Sequence, residues 1–332
     1  MSTTPREQSF RSSIGNAYSY TFTPPQSDSP TLLFLHGFPS HKTDWHHQRE
    51  HFANLGHGVL CLDLLGFGRS AAPDTQDSYR LKSMSNEIIE LLDHLHLESP
   101  VIGIGHDLGA MFLSRLTTYH AARIAAIVYL SVGPNKLSQP FDVDAINTFT
   151  KSVLGHEYLG YISWMTSDPD AQAELETHAE SAMKLLFCDD PKLWDTAFRP
   201  AGAMKAFVTQ DQDVKIGPWF TTDMQREHLE LYKQPGGYKG AIKWYKMMAN
   251  NDSLVDEKEV ADHQLDKPAL LIAPEQESAQ QKEMAASWHP QLQVESLSCG
   301  HWVHLERPAE TNKLIEDFIA GVGLGSKREE SR

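Results

Sequence analysis

Val101-Ile102-Gly103-Ile104-Gly105-His106-Asp107-Leu108-Gly109-Ala110 is the stretch that decides the fold. An apolar run of strand length ends at Gly105, a lone acid stands at Asp107, and Gly109 follows two positions on. Helix-like sequence comes next, Met111-Phe112-Leu113-Ser114-Arg115-Leu116. The pattern is strand, sharp turn, helix, of the form G-x-nucleophile-x-G. Its glycines allow the tight turn and keep bulk away from the central side chain, which stands above the sheet. A Ser in that position attacks acyl carbons. A carboxylate attacks saturated carbon and forms an alkyl-enzyme ester that water must hydrolyse. The competing reading of Asp107 is a buried loop residue capping the next helix.

Upstream, Thr31-Leu32-Leu33-Phe34-Leu35 is a continuous apolar run, as expected of a parallel strand buried on both faces. It ends at His36-Gly37-Phe38-Pro39, where a glycine frees backbone N–H to point into a cleft. That loop is expected to supply one oxyanion donor, the amide of Phe38, with the Leu108 amide as the second. An alternating strand precedes it (Asn16 to Phe22), and Gly58-Val59-Leu60-Cys61-Leu62-Asp63 is another buried strand. The turn Leu64 to Ser70 carries Gly66 and Gly68 without a following Gly-Lys-Ser/Thr, so its glycines serve packing and turn geometry rather than phosphate. Leu81, Met84, Ile88, Leu91, Leu92 and Leu95 recur at helical period and predict a helix over 80–97.

Downstream, Ala125 to Val132 is a further buried strand, and the alternation of strand and helix predicts a mostly parallel α/β sheet. After Gly133-Pro134 the strand runs vanish until Pro268-Ala269-Leu270-Leu271-Ile272-Ala273. The sequence between is helical and aromatic. It is expected to be a helical cap inserted after the sixth strand, over the strand ends where such sheets place their sites. The expected division is a core of 1–134 and 263–322, a cap of 135–262, and a disordered tail of 323–332. The aromatics of the cap include Tyr158, Tyr161, Trp164, Trp219, Trp244 and Tyr245, and most are expected to be its core. A last strand, Gln293 to Leu297, leads to Ser298-Cys299-Gly300-His301-Trp302, and a final helix runs to about 320.

In chain order this gives a nucleophile at Asp107, an acid at Glu275 or Glu277, and a base at His301. A group of near-neutral pKa suits deprotonation of water. His304 ranks below His301 because it falls at the start of the helix.

Composition bounds the partners. The chain has 332 residues, 40% hydrophobic and 22% charged, as in a globular protein large enough for one domain with an inserted lid. A net charge of -15 argues against nucleic acid and anionic membranes. No apolar run approaches the roughly 20 residues that span a bilayer, and Met1 to Gln8 lacks an apolar signal core. Cys61, Cys188 and Cys299 are too few and scattered for a disulfide framework or zinc site. A cytoplasmic, metal-free protein is expected, with no membrane or nucleic-acid partner and with room for a homodimer.

His36-Gly37-Phe38-Pro39, Gly105-His106-Asp107-Leu108-Gly109 and Gly300-His301-Trp302 together resemble the α/β-hydrolase superfamily, in its epoxide hydrolase and haloalkane dehalogenase branch. The resemblance covers about 12–320 and is to soluble, fungal-like epoxide hydrolases. It includes the cap segments Gly160-Tyr161-Ile162-Ser163-Trp164 and Ile242-Lys243-Trp244-Tyr245-Lys246. It implies that Tyr161 and Tyr245 donate hydrogen bonds to an epoxide oxygen, with Tyr158 the alternative to Tyr161 if the register differs. It implies catalysis by Asp107 and His301 with Glu277 as the acid, no cofactor, and an epoxide and water as substrates. His36, Trp164 and Trp302 are assigned to the substrate wall. The family's acid is usually Asp, so Glu277 departs from the pattern and Glu275 stays open. Leu108 stands where haloalkane dehalogenases usually carry a halide-binding Trp, which argues against that reaction. Fluoroacetate dehalogenases lack the tyrosine pair. The alternatives are a dehalogenase using the same Asp107, and a non-catalytic ligand-binding member of the fold.

Overall fold

Apolar runs with no polar alternation can be buried only between two layers, and here they form the middle of one sheet. The computed structural model describes residues 6–260, 264–276, 278–285 and 288–324; residues 325–332, most of the tail expected to be disordered, lie outside these. The strands are β1 (Glu7–Arg11), β2 (Ala17–Thr23), β3 (Thr31–Leu35), β4 (Gly58–Leu62), β5 (Val101–His106), β6 (Ile124–Leu130), β7 (Ala269–Pro274) and β8 (Leu292–Leu297). They form one eight-stranded sheet in the order β1-β2-β4-β3-β5-β6-β7-β8. The pairings β1–β2 and β2–β4 are antiparallel, and the rest are parallel. Every residue of β3, β4, β5 and β7 is buried. At the edges β8 alternates and β1 is mostly exposed. β1 has no apolar run, only Glu7-Gln8-Ser9-Phe10-Arg11, which is why the sequence pattern misses it.

Side chains alternate across the sheet. Leu33 and Leu35 pack on one face, with the helix Leu81–His94 and the cap. Leu32 and Phe34 pack on the other, against Trp45, Ile315 and Phe318. On β5 one face is bare: a Cβ at Gly103 would stand 2.3 Å from a Leu113 methyl, and one at Gly105 would stand 2.5 Å from the Gly109 carbonyl oxygen. The missing side chains let the helix Leu108–Tyr119 lie directly on its own strand.

The cap comprises the helices from Val143–Leu154 to Leu254–Glu257, between β6 and β7. Several hydrogen bonds tie it to the core: Trp244 Nε1 to the Leu65 carbonyl at 2.8 Å, Tyr232 Oη to the Ser40 carbonyl at 2.9 Å, and a bidentate Arg80–Asp256 pair at 3.0 and 2.7 Å. A Cβ on Gly240 would stand 1.8 Å from the Gly66 carbonyl oxygen. A Cβ on Gly66 would stand 2.7 Å from the Gly240 Cα and one on Gly68 2.3 Å from Asp63 Cγ, so the glycines of the 64–70 turn serve packing. No helix among the described residues is long and apolar enough to cross a membrane.

Candidate functional site

Strand register assembles the floor. β3 pairs with β5 in parallel with Leu35 opposite Gly105, so the two chains leave the sheet side by side. His36-Gly37-Phe38 therefore lies against Asp107. The Phe38 N–H donates to Asp107 Oδ1 at 2.9 Å. A Cβ at Gly37 would stand 2.4 Å from that oxygen and 2.7 Å from the Leu108 nitrogen, so only glycine allows both approaches. The Leu108 amide opens the helix Leu108–Tyr119, where backbone N–H groups lack intrahelical acceptors.

Asp107 has φ 53° and ψ -121°, and its side chain makes no capping bond to the helix it precedes. The capping reading is thereby set aside. A non-glycine residue held there stores strain on the order of 1–3 kcal/mol. Its second oxygen, Oδ2, lies 3.7 Å from His301 Nε2. The Asp107 and His301 side chains are each less than a fifth exposed, at 19% and 17%. Burial and the Arg199 guanidinium push the His301 imidazole down to about 3, so it is neutral at neutral pH.

Cap helices supply the ceiling. Tyr161 on Gly160–Ser167 and Tyr245 on Lys239–Ala249 meet edge to face, with ring centroids 5.7 Å apart. Tyr161 stacks on Phe198 at 4.2 Å and Tyr245 meets the edge of Phe38 at 5.4 Å. Burial first, and the nearby Asp107 charge further, hold the Tyr161 phenol above its ordinary pKa. Burial, Tyr161 and then Asp107 do the same for Tyr245. Both phenols keep their protons at neutral pH. A cavity of about 660 Å³ lies between floor and ceiling, and Phe38, Asp107, Tyr161, Tyr245, His301 and Trp302 all line it.

A family model described as the alpha/beta hydrolase fold matches residues 30–308. The chain belongs to the alpha/beta hydrolase fold family. Among curated relatives it is 24% identical over 297 residues to bifunctional epoxide hydrolase 2 of Sus scrofa, covering 87% of this chain and 51% of that protein. The chain thus spans about half the length of that relative. It is 26% identical over 320 residues to epoxide hydrolase A of Mycobacterium tuberculosis, covering 89% and 92% of the two chains. The crystal structure of epoxide hydrolase A from Mycobacterium thermoresistibile matches with a TM-score of 0.80 at 24% identity, over 96% of this chain and 99% of that one.

Within this hydrolase fold the other expected residues divide. Tyr158 lines the cavity, but it lies under the Arg199 guanidinium at 4.2 Å and accepts a hydrogen bond from it at 3.1 Å. Trp302 lines the wall, stacked on Phe187 at 4.5 Å, with its Nε1–H on the Leu186 carbonyl at 2.9 Å. Trp164 does not line the cavity; it is buried in the cap core. His36 does not line it either. Fully buried, His36 accepts from the Leu64 N–H at Nε2 (3.0 Å), so Nδ1 carries the proton and donates to the Gly37 carbonyl at 2.9 Å. It braces the loop that carries Phe38, and burial, pushing its pKa down to about 4, keeps it neutral. Glu277 lies outside the described residues. Glu275 is exposed, and its backbone N–H donates to the Leu297 carbonyl at 3.1 Å.

Sequence reasoning missed Arg199 and Glu306, which both line the cavity. Arg199 pairs with Asp195 at 2.5 Å, an i,i+4 spacing that carries no catalytic signal by itself.

Proposed function

We propose that this protein hydrolyses an epoxide to a vicinal diol through an ester on Asp107. The observation that carries the reading is the split environment of one carboxylate. Oδ1 is held by the Phe38 amide, while Oδ2 lies toward His301, in a cavity roofed by two protonated phenols. Oδ2 attacks a ring carbon from behind, the C–O bond breaks, and Tyr161 or Tyr245 donates its proton to the emerging alkoxide. His301 then takes a proton from water, and the hydroxide attacks the Asp107 carbonyl carbon. The oxyanion forms on Oδ1, where the Phe38 N–H already stands and the Leu108 amide is close. Collapse releases the diol, and the proton on His301 returns to the tyrosinate. Glu277 is taken as the carboxylate that orients the imidazole and lifts its basicity. The relatives named above bear epoxide hydrolase names and support this reading.

Residues 135–262 are taken as the cap and 1–134 with 263–322 as the core. Cytoplasmic placement is part of the proposal, and the free thiols of Cys61, Cys188 and Cys299 suit a reducing compartment. A dehalogenase would need less help with its leaving group, since chloride is stable as an anion. The phenol pair and Leu108 therefore favour the epoxide. A panel of epoxides and haloalkanes, read for diol against halide, tests this: diol without halide is expected, and halide release without diol would overturn it.

A further inference from the structure

His301 reaches the cavity from a loop, and a loop does not by itself hold an imidazole still. Its backbone is gripped on three sides. The carbonyl of His301 accepts from the Ser131 hydroxyl and lies 3.0 Å from His106 Nε2. A carbonyl only accepts, so His106 carries its proton on Nε2; burial pushes His106 down to about 3 and keeps it neutral. The amides on either side of His301 both go to one carboxylate. Glu306 accepts from the Gly300 N–H at 2.7 Å and from the Trp302 N–H at 3.0 Å, one on each oxygen. A Cβ at Gly300 would stand 2.9 Å from Glu306 Oε1, so the glycine is what admits the carboxylate. Glu306 forms no ion pair among the described residues, and it lines the cavity wall beside His301. A carboxylate turned back onto two backbone amides is spent on the geometry of this loop.

We propose that Glu306 is a positioning residue that fixes His301 for the second half of the reaction, ester hydrolysis. This rests on the reading of His301 as the base. Ring opening uses Asp107 and the phenols, so it should not depend on where the imidazole sits. Attack by water does depend on it, and a misplacement of about 1 Å can cost on the order of 100-fold. Glutamine keeps one acceptor oxygen and turns an NH2 toward the other amide. Glu306→Gln should therefore fall between the natural residue and Glu306→Ala.

The test is a rapid-quench measurement on the full chain with styrene oxide, in which intact-protein mass gives the ester and chromatography gives the diol. Glu306→Ala is expected to form the ester within about threefold of the natural rate and to hydrolyse it roughly 100-fold more slowly, with Glu306→Gln intermediate. If Glu306→Ala does not fold, the near-isosteric Gln variant is read alone, and a smaller loss confined to ester hydrolysis is expected. Equal losses in both half-reactions, or no loss in either, would overturn the role of Glu306. His301→Gln run in parallel separates the two ideas. If that variant hydrolyses its ester normally, the base reading itself fails, whatever Glu306 does.

Discussion

The floor of the cavity and its ceiling are built by different means. The floor is backbone work: β3 and β5 in register, a strained turn at Asp107, and the Phe38 amide donating to its carboxylate. The ceiling is side-chain work. Two phenols come from helices far apart in the chain, held by stacking of Tyr161 on Phe198 and an edge contact of Tyr245 with Phe38. A floor made of backbone constrains the residue types around it, above all Gly37, Gly105 and Gly109. A ceiling made of side chains constrains only packing, and many aromatics pack equally well. On the proposed mechanism the floor would set which atom attacks and the ceiling which leaving group is tolerated.

Breaking the ceiling should produce the largest effect. Tyr161→Phe with Tyr245→Phe is expected to leave a folded protein without measurable diol formation, because the alkoxide would form in a dry cavity with no donor. Each single variant should lose on the order of 10- to 1000-fold in kcat, like the loss of one oxyanion donor. Near-natural diol formation by the double variant would reduce the pair to cap core.

Breaking the floor at His301 should be nearly as severe in turnover but different in kind. His301→Gln should still open the ring, since Asp107 and both phenols remain. Intact-protein mass after mixing with substrate should then show an adduct of the full substrate mass. Absence of that adduct would place His301 in the first step instead.

A smaller effect sharpens the boundary between the two layers, where Arg199 of the cap faces His301 of the core. Burial and then the Arg199 charge lower the His301 pKa. In the proposed mechanism the active form is the neutral imidazole, so activity is expected to fall as pH drops through that pKa. Removing the cation raises the pKa, and Arg199→Gln should therefore move the acid limb of the kcat/KM profile to higher pH. An unmoved limb, or a shift to lower pH, contradicts the electrostatic role.

The smallest catalytic effect belongs to Trp164. Trp164→Phe should cost about 1–3 kcal/mol of stability as a packing loss, seen as a lower melting temperature, with KM and kcat close to natural. A selective rise in KM would restore Trp164 to the substrate wall.

The same division explains what was legible in the sequence. The α/β sheet, the cap after β6 and the elbow at Asp107 follow from local patterns of apolar runs and glycines. His301 follows from its place after β8. The tyrosines do not: Tyr161 and Tyr245 look like any cap aromatics, and resemblance to a family rather than periodicity singled them out. Trp164 shows the limit of that route. It lies three residues from Tyr161 on one helix, about 60° short of a full turn at 3.6 residues per turn, and that offset turns it into the buried core. His36 was misplaced for a related reason, since a motif shows that a loop matters without showing which atoms of it face the cavity. Glu306 was missed because its partners are backbone amides, which have no sequence signature.

The covalent step at Asp107 is tested most directly by a single turnover in heavy-oxygen water, with enzyme in excess over epoxide, followed by mass analysis of the diol and of the peptide containing Asp107. Water attacks the ester carbonyl, so the heavy atom is expected in the Asp107 carboxylate and not in the first diol released. Heavy oxygen in that first diol, with Asp107 unlabelled, would show direct attack of water on the epoxide and contradict the covalent route.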